Sequence, residues 1–277
     1  MTNDLATGKF TKATDISFDA GKCRHGSFLP LKKSEFNALA DKYDIVFGEI
    51  ESEPQEIFSM SFEDNMEATG ASVTPSGTFS YVEGVTAGTK AAKFTAGNVK
   101  NHIKVDGSIF KGLGEITISF AAKFNHPTGG SSGRSWLFYA AKTDDALTWE
   151  KDGNREKYVG LIWGENSGKN LQAQRFWNGR TPSPSAAVEN NKWQHITIVF
   201  GRGYTTIFVN GTQVAREETS VNLYTILGGN PTVYIGRANW GGGEYSDCIL
   251  DEYRIFNYGM TADQVKEHYT AIMGVTE

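Results

Sequence analysis

From residue 56 onward the chain is written in short runs that alternate apolar with polar residues, a pattern that suits β-sheet and little else. Phe58, Met60 and Phe62 alternate with Ser59, Ser61 and Glu63, so one side of an extended segment can face a core and the other water. Similar runs follow at 92–105, 115–124, 135–141, 158–163, 171–177, 195–200, 205–209, 232–236 and 248–256. Breaks rich in Gly, Asn and Ser separate them, as at Gly129-Gly130-Ser131-Ser132-Gly133. About ten strands with few helices predict an all-β fold, two packed antiparallel sheets spanning residues 56–277.

Two junctions are sharply marked. Ile207-Phe208-Val209-Asn210-Gly211-Thr212-Gln213-Val214 reads as a hairpin, because Asn-Gly tolerates the positive φ of a type I′ turn. Thr261-Ala262-Asp263-Gln264 is a capping box with Thr261 as N-cap, and Met260 and Val265 are spaced as its hydrophobic staple. Val265, His268, Tyr269 and Ile272 then give a short C-terminal helix one apolar stripe, predicted to lie against the sandwich.

Residues 1–55 read differently. They are polar and irregular apart from one helical stretch, 34–43, with Ser34 as N-cap and Phe36, Leu39, Ala40 and Tyr43 at helical spacing. Glu49, Glu51, Glu53 and Pro54 mark a linker. This arm is too small and too poor in apolar residues to fold well alone. It is expected to dock, on the sandwich or on a partner.

The bulk chemistry excludes several classes. A formal net charge of −5, with no basic block, argues against a nucleic-acid surface. No apolar run reaches 18 residues, so no membrane insertion is expected, and Met1 to Phe10 lacks the apolar core of a secretory signal. Cys23 and Cys248 are most simply two separate thiols, although their spacing does not decide against a bridge. Neither has metal-ligand neighbours. The five histidines show no triad or metal spacing, and His195 reads as structural. Gly129 to Gly133 matches Gly-x-Ser-x-Gly but lacks the strand and helix of a nucleophile elbow. Asn210-Gly211-Thr212 is a formal glycosylation sequon and more simply a turn.

Several landmarks, in order, carry a family likeness. They are Ser61-Phe62-Glu63-Asp64-Asn65, Glu115-Ile116-Thr117-Ile118-Ser119-Phe120, Lys192-Trp193-Gln194-His195-Ile196-Thr197, Val209-Asn210-Gly211, Tyr234-Ile235-Gly236 and Leu250-Asp251-Glu252-Tyr253-Arg254-Ile255-Phe256-Asn257. The set resembles the laminin-G-like jelly-roll family of the concanavalin A-like lectin/glucanase superfamily. The resemblance implies a two-sheet antiparallel jelly-roll sandwich, here with an N-terminal arm and a short C-terminal helix. It also implies a Ca²⁺ site where the first strand meets the last, with Glu63 or Asp64 and Asp251 as carboxylate ligands. The plainer alternative is that Asp251 and Glu252 pair with Arg254 or with solvent. Glucanases of the superfamily carry Glu-x-Asp-x-x-Glu on one strand, and no strand here does. Ala121 and Ala122 stand where many members carry Trp.

Glycan binding needs aromatic faces beside polar groups. Asn239, Trp240 and Tyr245, in a Gly-rich stretch, form the best such cluster, with Trp177 and Trp163 at strand ends as second choices. The competing reading is that these rings close the sandwich or meet another subunit. The expectation is therefore a non-catalytic, lectin-like binding or display protein. Its absent leader, its Met1 and its arm favour a larger assembly: a phage virion surface component, a capsid decoration or tail fibre, docked through residues 1–55 and holding the particle near host glycans. The alternative is a free-standing carbohydrate-binding module of a bacterial cell-surface or secreted polysaccharide-utilising protein.

Overall fold

Fifteen strands pair antiparallel into two sheets, in the computed structural model, which describes residues 52–96, 99–124, 134–141, 157–164, 170–176, 182–227, 231–238 and 244–275. The chain divides into two units, Met1–Tyr43 and Asp44–Glu277, and every described residue lies in the second. The predicted helix at 34–43 and nearly all of the predicted docking arm lie outside the described residues.

The eight-stranded sheet runs β13 (Thr212–Glu218), β12 (Tyr204–Val209), β11 (Trp193–Gly201), β6 (Ile116–Phe124), β15 (Cys248–Phe256), β4 (Lys90–Phe94), β3 (Ser80–Glu83), with β1 (Glu56–Met60) also pairing β15. The seven-stranded sheet runs β10 (Ser185–Ala187), β9 (Asn170–Phe176), β8 (Tyr158–Trp163), β7 (Ser135–Ala141), β14 (Thr232–Ile235), β5 (His102–Val105), β2 (Val73–Ser76). First and last strands thus lie side by side, with Ser59 opposite Arg254 and Met60 opposite Tyr253. The inner faces meet in one core, where Phe120 stacks on Tyr253 (centroids 5.1 Å, 3° between planes) and Phe124 leans on Trp163 at 5.2 Å.

The single run expected at 92–105 is two strands in different sheets. Asn101 explains the break. Its buried amide donates to the carbonyls of Thr78 and Lys93 and accepts from the Thr95 amide, so it satisfies the backbone where the chain crosses between sheets. The Asn-Gly turn behaves as expected: Asn210 and Gly211 have φ of 50° and 74°. A short helix α1 (Leu223–Leu227) and a 3-10 turn at Gly107–Phe110 add to the predicted elements. In α1, Leu223, Ile226 and Leu227 are all buried at i, i+3, i+4 spacing.

The C-terminal helix α2 (Ala262–Met273) has both halves of its capping box and ends at Gly274 in the left-handed region. Met260 and Val265 share a buried cluster with Val199, Phe208 and Phe256. The helix lies over the outer face of the eight-stranded sheet, where the ring of His268 is 5.4 Å and that of Tyr269 5.8 Å from His195. His195 is fully buried and shares a 2.9 Å hydrogen bond through Nε2 with the Ser119 hydroxyl. Burial, with His268 adding, holds its imidazole down to about 3. It is structural, as expected. Cys248 is a free, buried thiol, and burial pushes it far above its usual range.

Candidate functional site

The outer face of the seven-stranded sheet carries an aromatic cluster of its own, apart from the core on its inner face. Along β8, Val159, Leu161 and Trp163 belong to the core, while Tyr158 and Ile162 join a second cluster on the opposite face. There Tyr158 stacks on Phe176 (4.5 Å, 12°) and on Tyr139 (5.4 Å, 29°), and Trp136 meets both tyrosines edge-on at 5.6 Å. Gly160 makes this packing possible, because a Cβ there would come within 2.4 Å of the Trp136 ring.

The polar tips of these rings are satisfied by neighbours. The Tyr158 hydroxyl donates to Gln174 Oε1 at 2.8 Å, and Gln174 Nε2 donates to Gln172 Oε1 at 2.5 Å. Trp136 Nε1 donates to Glu244 Oε2 at 2.5 Å, and Arg134 donates to the other oxygen of that carboxylate at 3.0 Å. Glu244 thus brings a carboxylate to this face with both oxygens engaged. The result is a floor of rings edged by amides and one anchored acid.

Toward β14 and β5 the face becomes accessible. The segment after β14 folds back on itself: Ser246 N donates to Gly236 O at 2.8 Å, and Arg237 bridges Tyr245. This places half-buried Tyr245 against half-buried His102 (5.7 Å), whose ring also meets Tyr234 at 5.7 Å. Three cations gather around the two tyrosines. Arg237 lies 4.8 Å from the Tyr234 ring and 5.4 Å from the Tyr245 ring, Lys100 5.9 Å from Tyr245, and Lys104 5.9 Å from Tyr234. Burial pulls His102 down from the ordinary histidine value and Arg237 adds to that pull, against the Lys100 carbonyl at 3.4 Å.

Of the sequence-predicted glycan residues, Tyr245 sits in this cluster. Trp163 does not. It is fully buried on the core side of β8, in phase with Val159 and Leu161, and offers no face to a sugar. Trp177, Asn239 and Trp240 lie outside the described residues. Sequence reasoning missed Trp136, Tyr139, Tyr158, Phe176 and Tyr234 because they sit inside strands. The signal was present in β8: taken two by two, its residues divide into an aliphatic-plus-Trp row and a row holding Tyr158 and Gly160.

The predicted acidic set is brought together only in part. Asp251 is buried at a bulge in β15, where Glu252 takes a φ of 48°. One carboxylate oxygen accepts from Val85 N and the other from Glu252 N, both at 2.8 Å. Glu63 accepts from Lys90 N at 3.0 Å, so the two acids grip opposite ends of the turn 84–90. Burial pushes Asp251 up to about 6, with Glu252 and Glu63 adding to the rise. Gly84 leaves a cradle beside it, since a Cβ there would lie 2.7 Å from Asp251 Oδ2. Asp64 instead bears on Tyr81, and among the described residues no three Asp, Glu, His or Cys side chains converge as a metal cluster. Asp251 and Glu63 are the two predicted acids that act on one turn, each through backbone amides. Glu252 pairs with Arg254 at 2.6 Å, whereas Asp251, buried, meets neither Arg254 nor solvent.

Among the described residues no helix is long and apolar enough to cross a membrane. No curated protein sequence matches the chain. Solved structures share its fold. Domain 4 of AbnA, a GH43 extracellular arabinanase from Geobacillus stearothermophilus, in complex with arabinotriose, is similar at 18% identity, with a TM-score of 0.58 over 78% of this chain and 98% of that one. The binding domain of botulinum neurotoxin DC in complex with SialylT is similar at 12% identity and a TM-score of 0.56, over 78% of this chain and 51% of that one. The binding domain of Paraclostridial Mosquitocidal Protein 1 gives 16%, 0.55, 78% and 52%. The chain spans about half the length of these two toxin domains. The family model for the concanavalin A-like lectin/glucanases superfamily matches residues 95–266, more than half of the sequence. Two antiparallel sheets closed over one core, with first and last strands paired, are the frame that match requires, and the chain belongs to the concanavalin A-like lectin/glucanases superfamily.

Proposed function

We propose that this protein is a non-catalytic glycan-binding module whose binding surface is the outer face of the seven-stranded sheet at its Tyr245–His102–Tyr234 end. The observation that carries this is the half-buried Tyr245 ring held among His102, Arg237 and Lys100 at the edge of a rigid aromatic floor. Sugars stack their C–H faces on such rings, and their hydroxyls take hydrogen bonds from nearby polar groups. The arabinanase domain with its bound arabinotriose and the toxin binding domains support the reading, because they share the fold and serve binding. They also favour an extracellular or cell-surface setting. The virion setting rests on residues 1–55 alone, and no described residue speaks for it.

A Ca²⁺ ion at Asp251 and Glu63 belongs to the same proposal, as a structural ion that stabilises the turn 84–90 and the junction of first and last strands. It lies on the eight-stranded sheet and takes no part in sugar contact.

The test is titration calorimetry against a panel of soluble polysaccharides, with wild type and Tyr245→Ala. Measurable binding by wild type, weakened roughly tenfold in the variant, is expected, since loss of a stacking ring removes about 1–2 kcal/mol. Equal binding by the two proteins would place the site elsewhere.

A further inference from the structure

We propose that this site takes an acidic sugar, a ring bearing a carboxylate or a sulfate, with the anion held between Arg237 and Lys100 and the ring against Tyr245. The inference rests on the glycan reading above and goes further, to the charge of the ligand.

The argument begins with an imbalance. The protein carries a formal net charge of −5, yet Lys100, Lys104 and Arg237 crowd two tyrosines on one corner of one sheet. Elsewhere most exposed or half-buried described arginines sit with acids, Arg134 with Glu244, Arg254 with Glu56 and Glu252, Arg216 with Glu218 and Arg202 with Glu115, while buried Arg175 is spent on Thr205 and backbone carbonyls. Arg237 and Lys100 meet no carboxylate among the described residues. Arg237 spends its Nε on the Ala238 carbonyl at 2.6 Å, while its guanidinium carbon lies within 5.4 Å of both tyrosine rings. Two cations lie by one ring, 5.4 and 5.9 Å from the Tyr245 centroid, so an anion bound at that ring is attracted by both.

The backbone points the same way. Lys100 takes a φ of 50°, a left-handed conformation that a lysine adopts at a cost. Strain of this kind persists where its surroundings require it. Here it delivers an ammonium to the one half-buried tyrosine of the described site. His102, between both tyrosines, turns Nδ1 to the Lys100 carbonyl at 3.4 Å and leaves Nε2 to accept from a sugar hydroxyl. A neutral sugar would use the ring and the imidazole but would leave the cations idle. A nucleic acid would need a track of cations along the surface, whereas these three gather around two tyrosines. Guanidinium geometry suits carboxylate and sulfate alike, so the shared chemistry is an anion carried on a pyranose or furanose ring.

The experiment is calorimetry with the full chain against four polymers: polygalacturonate and hyaluronan for carboxylates, chondroitin sulfate for sulfate, and neutral arabinan. Binding to at least one acidic polymer is expected, weakened roughly tenfold by Arg237→Gln and severalfold by the exposed Lys100→Gln. It should also weaken between low and physiological salt, as screening shortens the reach of the cations. Far-ultraviolet circular dichroism of both variants excludes loss of fold, and Lys100→Gln, at an exposed position, keeps the test decisive if Arg237→Gln misfolds. NMR titration of His102 gives a second readout: bound anion raises its midpoint, while a neutral sugar leaves it in place. Binding to arabinan alone, indifferent to both substitutions and to salt, overturns the acidic-sugar inference and leaves the glycan reading standing. Binding to no polymer of either kind sinks both. Preference for uronates over chondroitin sulfate assigns the anion as carboxylate, and the reverse assigns it as sulfate.

Discussion

Acid should loosen this sandwich through His195, and the size of the effect follows from where the ring sits. The imidazole is sealed between β11 and α2, with Ser119 on Nε2 and the ring of His268 5.4 Å away. Its folded value is about 3 against an ordinary 6.5. The folded protein therefore refuses a proton that the unfolded chain accepts. Stability from this group is fully present above about pH 6.5 and is lost progressively as pH falls from there toward 3. Between pH 7 and pH 5 the loss is on the order of 2 kcal/mol, from one and a half pH units at about 1.4 kcal/mol each. His268, also lowered by burial, adds to it. Asp251, raised to about 6, works in the opposite direction, so only a difference between two proteins isolates the histidine. The perturbation is His195→Gln, whose amide nitrogen can take the place of Nε2 beside Ser119 and does not titrate in this range. Urea unfolding of both proteins at pH 7, 6 and 5 is the assay. The variant should start less stable, having lost ring contacts with His268 and Tyr269, but should lose roughly 2 kcal/mol less on acidification. Parallel pH profiles would falsify the reasoning, because they would mean that His195 is no harder to protonate folded than unfolded.

Two further expectations concern the candidate site and the acids behind it. Gly160→Ala puts a methyl 2.4 Å from the Trp136 ring, which should cost about 1–3 kcal/mol in thermal unfolding and weaken glycan binding by tilting the aromatic floor; unchanged stability would mean that the ring moves freely. Added Ca²⁺ should raise the melting temperature by a few degrees over protein in EDTA, in wild type but not in Asp251→Asn. Identical melting with and without the ion would remove calcium and leave Asp251 as the clamp of the turn 84–90.

The frame could be read from the sequence because its cues are local. Alternation set the strands, Asn210-Gly211 set a turn whose φ values are both positive, and Thr261 with Gln264 set the start of α2. Each is a backbone preference expressed within four or five residues. What could not be read depended on partners distant in sequence. Asn101 looks like any polar loop residue until Thr78 and Lys93 arrive to fill its amide. In the sequence Trp163 reads as a strand-end platform because it precedes Gly164-Glu165. Its phase with Leu161 and its contact with Phe124, across the sheets, put it in the core. The cationic corner was hidden for the same reason: Lys100, His102, Tyr234, Arg237 and Tyr245 come from β5, β14 and the segments beside them, and only pairing of β5 with β14 joins them.

Trp136, Tyr139, Tyr158 and Phe176 are nearly sealed, yet they lie on the side of the sheet away from the core. A cluster of that kind adds apolar burial to the fold, but its greater effect is on binding. Side chains that must be ordered when a ligand arrives cost about 0.5–1.5 kcal/mol each. Here Gln174, Gln172 and Glu244 already hold the ring tips, and Gly160 already admits Trp136, so the ordering is complete before any sugar is present. The corner itself is more open, with Lys100 and Lys104 exposed and Tyr245 half-buried. An ordered floor with an exposed cationic rim suits a ligand whose rings repeat and whose charges vary in position. It also separates two kinds of substitution. Changes to the floor should alter stability and affinity together, whereas changes to the rim should alter affinity, and its response to salt, while leaving unfolding where it was.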